Sequence, residues 1–168
     1  VLRMPETEQK YPTIEQRLEE IMCQRGLSLN AFSISIGYRR KWYDGFLRNR
    51  GRGRQMCIST VCNISERLEL IPVLWRRQDG SPLFGENRNH FRKPINYQYA
   101  RFAYLSDVIA SERTKKGIAQ SALAGIIGMN EGAVNNFEGY WHTPQIRYFP
   151  AICNALDLEA EWLAMPIE

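Results

Sequence analysis

Seven basic residues stand within sixteen positions of this chain: Arg39, Arg40, Lys41, Arg48, Arg50, Arg52 and Arg54, with Asp44 the one acid among them. Cations this dense repel one another until a polyanion neutralises them, so the chemistry they offer is the gripping of phosphate. The same stretch carries Trp42, Tyr43, Phe46 and Leu47 at helical spacing and ends in Arg50-Gly-Arg52-Gly-Arg54. Glycine disfavours a helix interior by about 1 kcal/mol. The spacing therefore predicts a short helix over about 39–48 and a basic loop after it. Catalysis has less to work with. His90 and His142 have no ligand set or nucleophile beside them in the pattern, and neither a glycine-rich phosphate cradle nor paired carboxylates at helical spacing occurs. The expectation is a protein that is not an enzyme and takes no cofactor and no metal.

The positive charge is local. The first 90 residues hold fifteen basic and ten acidic side chains, and the remainder seven and eight, for a net charge of +4. With 44% apolar and 24% charged residues the chain is able to bury a core. No apolar run approaches the roughly 18 residues that span a bilayer, and Val1–Lys10 lacks the apolar centre of a signal peptide, so no membrane partner is expected. Cys23, Cys57, Cys62 and Cys153 fall inside apolar helical patterns without short paired spacing, which reads as core thiols in a reducing, cytoplasmic setting.

Elements must position the basic stretch. Residues 1–12 read as a loose arm. Thr13 and Gln16 fit a capping box ahead of a helix with Ile14, Leu18, Ile21 and Met22 on one face, stopping at Gly26. Ser28 caps a second helix carrying Leu29, Phe32 and Ile36 to Gly37, and the basic helix is third. A fourth is expected over about 55–69, and Ile71–Trp75 is read as a short fifth. Turn residues Asp79-Gly80-Ser81-Pro82, Gly85 and Pro94 mark a linker over 78–99. Its cluster from Asn87 to Lys93 is a plain linker by default, with a minor-groove or phosphate contact as the alternative.

The pattern then returns. At an offset of 91, Gly26 meets Gly117, Gly37 meets Gly128, Phe46 meets Phe137, and Cys62-Asn63 meets Cys153-Asn154. Further on, the offset is 88: Leu70 meets Leu158 and Leu74 meets Trp162. The chain thus reads as two copies of one all-helical unit, spanning 13–77 and 100–168.

The second copy carries a resemblance. Gly117-Ile-Ala-Gln120-Ser-Ala122-Leu-Ala124, then Gly128-Met-Asn130-Glu131-Gly132-Ala-Val134-Asn135-Asn136-Phe137-Glu138-Gly139, is similar to the lambda-repressor/Cro-like helix-turn-helix family. The likeness covers about 60 residues and implies an all-α fold of two tandem five-helix domains. It also implies a sequence-specific DNA-binding transcriptional regulator of phage or mobile-element type, with double-stranded DNA as partner. From the residues themselves, Gly128 supplies the tight turn and Asn130 caps the next helix. By the resemblance Glu131, Gly132, Asn135 and Asn136 lie toward a major groove, with Asn130 beside them. Asn135 and Asn136 read equally well as adenine contacts or as plain surface amides. Gln120 matches a glutamine that touches phosphate or braces a base-reading residue. In the first copy Leu29 replaces that glutamine. Arg40, Lys41 and Asp44 take the groove-facing positions, next to Arg39, while Arg48, Arg50, Arg52 and Arg54 follow the backbone. Trp42, Tyr43 and Phe46 read as packing residues, with a base-step wedge as the alternative for Trp42. The rival function is a DNA-tethered interaction module, such as an antitoxin, anti-repressor or adaptor. There the second domain binds a homodimer mate or another protein.

Overall fold

The structure is a computed structural model that describes residues 10–48, 56–83 and 103–166. Thr13 opens α1 (Ile14–Gln24) with the expected capping box: its Oγ1 accepts from the Gln16 amide at 3.3 Å, and Gln16 Oε1 accepts from the Thr13 amide at 3.0 Å. Ser28 caps α2 (Leu29–Ser35) through the Ala31 amide at 3.2 Å. Next come α3 (Trp42–Arg48) and α4 (Ile58–Leu68), the latter buried along Ile58, Val61, Cys62, Ile64 and Leu68. The second half supplies α5 (Ala103–Lys115), α6 (Gln120–Ile127), α7 (Glu131–Glu138) and α8 (Phe149–Ala155), with one 3-10 turn at Ile146–Tyr148.

Backbone conformation repeats with the sequence. Left-handed Gly26 (φ 62°) and Gly37 (φ 87°) recur as Gly117 (φ 67°) and Gly128 (φ 75°). Left-handed Glu69 (φ 58°) after α4 recurs as Asp157 (φ 57°) after α8, at the offset of 88. The three-residue change in offset shortens α8 relative to α4.

The segments after Glu69 and Asp157 overturn the all-α expectation of two five-helix domains. Leu70–Arg76 is a strand, β1, where a short fifth helix was expected, and Leu158–Pro166 is β3. With β2 (Pro82–Leu83), which lies in the stretch read as linker, they form an antiparallel sheet of order β2-β1-β3. The described residues are thus mixed α/β, with eight α-helices and three strands. The physical reason is non-local. A left-handed residue ends each helix, and Ile71, Val73 and Trp75 suit a pleated, half-buried surface. The hydrogen-bonding partner, however, lies in the other copy. Pro72, which has no amide hydrogen to give, sits where the ladder shifts register between Ile71 and Val73.

The pairing has a symmetry of its own. Val73 faces Glu161, its counterpart at the offset of 88, and Leu74, Trp75 and Arg76 face Ala160, Glu159 and Leu158. A strand antiparallel to its own counterpart is the arrangement of an approximate two-fold axis, realised here inside one chain. Side chains reinforce it: Arg76 reaches buried Glu112 at 2.9 Å, Arg77 reaches Glu159 at 2.8 Å, and Trp75 Nε1 donates to Glu161 at 2.9 Å. A second tie joins the segments ahead of α4 and α8, where Ile146 N donates to Met56 O at 2.6 Å and Ile58 N to Pro144 O at 3.1 Å. Buried residues of both halves form one core. Among the described residues no helix is long and apolar enough to cross a membrane.

Candidate nucleic-acid interface

In the first half the helix pair is α2 and α3. Ser33, buried on α2, accepts from the Tyr43 amide at 2.9 Å and so satisfies one of the open N–H groups at the start of α3. Tyr43 is buried edge-on against Phe32, with ring centroids 5.0 Å apart. Trp42 lies between Tyr38 and Phe46, stacked at 4.0 Å and 5.5 Å. The aromatics therefore pin the inner side of α3, and Trp42 packs instead of standing free as a wedge. Burial also pushes the Tyr38 phenol above its ordinary range.

The helix starts later than the sequence suggested. Arg39, Arg40 and Lys41 form the turn ahead of α3, with Trp42 N donating to Arg39 O at 2.9 Å. Cations oppose the positive end of a helix dipole, whereas Asp44, half-buried in the first turn, suits it. All three basic side chains are exposed and make no ion pair among the described residues. Arg48 closes α3, and Arg50, Arg52 and Arg54 lie outside the described residues.

In the second half the pair is α6 and α7. Gly128 in the left-handed conformation makes the turn, and Asn130 caps α7, its Oδ1 accepting from the Ala133 amide at 2.8 Å. Val134 and Phe137 are buried, while Asn130, Glu131, Gly132 and Asn135 are exposed and Asn136 is half-buried. Gln120 is committed elsewhere: its Nε2 donates to Glu138 Oε2. Arg113 grips the same buried carboxylate with two hydrogen bonds, at 2.6 Å and 3.0 Å, and donates to Ile118 O at 2.7 Å. A bidentate pair of this kind fixes geometry as well as energy, and it locks the end of α7 onto α5.

Arg113 and Glu138 were not singled out from the sequence, although the repeat carried a signal for them. At the offset of 91, Arg113, Gln120 and Glu138 correspond to Met22, Leu29 and Leu47. Three positions that switch together from apolar to polar mark one spatial cluster.

No family model, curated protein or solved structure matches the chain.

One further concavity, of about 760 Å³, lies where Tyr11–Glu15 meet Arg77, Phe149, Cys153 and Trp162. Both cations of its lining are already tied: Arg77 donates to Glu159 and, at 2.7 Å, to Asn154, and Arg147 donates to the Tyr148 hydroxyl at 2.7 Å. Burial pushes the Cys153 thiol up to about 12, so it stays protonated near neutral pH and is a poor nucleophile there. The surface with the clearest chemistry is the outer side of the two helix pairs. One carries free cations and the other carries amides.

Proposed function

We propose that the chain is a sequence-specific DNA-binding transcriptional regulator, of the type found in phages and mobile elements. In this proposal α2–α3 and α6–α7 act as helix-turn-helix pairs. The observation that carries it is the exposed, unpaired run Arg39-Arg40-Lys41, which stands at the leading end of a helix whose other side is pinned by Tyr43 and Trp42. Charge in that position does not help the helix, and a phosphate or a guanine edge would take it up.

The approximate two-fold pairing of β1 with β3 supports a single chain acting as a repressor dimer does, covering two half-sites about one helical turn apart. Because the outward residues of α3 and α7 differ, the two half-sites differ. Arg40, Lys41 and Asp44 read one, and Asn135 and Asn136 read the other. Arg48 to Arg54 hold phosphates.

Selection of bound duplexes from a random pool, followed by affinity against salt, tests this. Log affinity should fall with log salt by about 0.9 per neutralised phosphate. Arg40→Ala should relax base preference, and Arg52→Ala should weaken all sequences alike and lower the slope by about one. No enriched duplex, or a flat salt response, ends the proposal. The near-neutral second half, with exposed Glu131 on α7, favours the rival in which that half recruits a protein while the first holds DNA. Under the rival, changing Asn135 and Asn136 together leaves DNA affinity intact.

A further inference from the structure

The outward residues of α7 stand at 132, 135 and 136, and the same helical spacing continues to 139, which is glycine. A Cβ built on Gly139 would meet Trp141 Cδ1 at 3.0 Å, Trp141 Nε1 at 3.4 Å and Asn135 O at 3.1 Å. The indole of Trp141 therefore folds back over the end of α7 and fills the place a side chain at 139 would take. Tyr140 makes this possible by adopting φ 65°, a left-handed conformation that a bulky residue reaches only at a cost. Its hydroxyl donates to Asp107 in the core, and the Trp141 amide donates to Asn136 O at 2.8 Å. After this anchoring the indole is still 50% exposed, whereas Trp42 and Trp75 are half-buried and Trp162 is buried. Its Nε1 meets no acceptor among the described residues.

We propose that Trp141 is a DNA-backbone contact of the second copy, its face against a deoxyribose and its Nε1–H donating to a phosphate oxygen beside the α7 stripe. The inference rests on the DNA-binding reading of the two helix pairs. At the offset of 91 Trp141 stands where the first copy has Arg50, so the two copies grip the backbone differently, one with a cation and one with a neutral donor. A neutral donor releases no counterion. Its loss therefore lowers affinity without changing the salt slope, unlike loss of an arginine.

The test uses the full chain and the duplex recovered by selection. Trp141→Ala should weaken binding about tenfold, as expected for a lost hydrogen bond to a charged group, with the salt slope unchanged. Trp141→Phe keeps a flat ring without the donor and should fall between. In the unmodified chain, the acrylamide-accessible tryptophan signal that Trp141→Phe removes should become protected when the duplex is added. This last measurement decides the matter if Trp141→Ala proves unstable. Unchanged affinity in a folded Trp141→Ala variant, or an indole still accessible in the complex, overturns the Trp141 contact alone. If the unmodified chain binds no duplex, the DNA reading and the contact fall together.

Discussion

The two halves share a backbone and differ in where they keep their charge. In the first, cations point outward from the turn before α3, and Met22 and Leu29 pack against the core at positions that are polar in the second. In the second, charge is turned inward: Arg113 and Glu138 pair on the inside of α7 with Gln120, Asp107 meets Tyr140, and the outer side is largely amide. A dimer of identical chains cannot divide labour this way, because each change appears twice about the axis. A duplicated chain can. The strand pairing that keeps the halves in two-fold register leaves their outer surfaces free to diverge.

The two halves depend on each other most at this register. Val73 is 2% exposed at the centre of the β1–β3 ladder, opposite its own counterpart. Val73→Asp buries a carboxylate in the sheet both halves share, and more than about 4 kcal/mol of stability should be lost. In urea the unmodified chain should unfold in a single transition tracked alike by far-ultraviolet dichroism and tryptophan emission. Two separate transitions in that chain would mean that the halves are independent and the shared sheet incidental.

That sheet also marks the limit of what was legible in the sequence. Thr13 with Gln16, Ser28 and Asn130 as caps, and Gly26, Gly37, Gly117 and Gly128 as left-handed turns, all act within a few residues of themselves, so local chemistry revealed them. Leu70–Arg76 finds its partner about ninety residues away, and a short apolar run with proline near its start also fits the first turn of a helix. The late start of α3, at Trp42, has a related cause. Its cap comes from Ser33 on the preceding helix, so nothing next to Trp42 announced it. Of the proposed interface, Arg39, Arg40 and Lys41 were legible as charge, but their place ahead of the helix was not.

The inward charge of the second half gives the next largest effect. Glu138→Ala leaves the half-buried Arg113 with no carboxylate, and about 3 kcal/mol should be lost. Copying the first half's residues into the site as Arg113→Met, Gln120→Leu and Glu138→Leu removes both partners and should recover that loss, ending neutral or up to about 2 kcal/mol more stable than the unmodified chain. Chemical denaturation of the two variants separates two ideas. If the triple variant is as unstable as Glu138→Ala, the polar cluster has no apolar equivalent and the copies differ in packing as well as in charge.

The smallest effect sharpens what the halves have in common. Cys62 and Cys153 occupy equivalent core positions and are both buried, while Cys23 is exposed and Cys57 half-buried. At pH 8 a thiol reagent should modify Cys23 first and Cys57 more slowly, with Cys62 and Cys153 reacting only as fast as the protein unfolds. The pH dependence has a definite sign. An unfolded cysteine ionises near 8.5, whereas folded Cys153 holds its proton up to about 12. The folded state thus binds the extra proton between those values. The stability contributed by the neutral buried thiol is intact below the unfolded pKa and drains away as pH rises through that window. Cys153→Ala should flatten the alkaline loss of stability while leaving the curve below pH 8 parallel to that of the unmodified chain. An unchanged alkaline slope would mean that the thiol is wetter than its place beneath Arg77 and Glu159 implies, and that this shared core position is less equivalent in the second half than in the first.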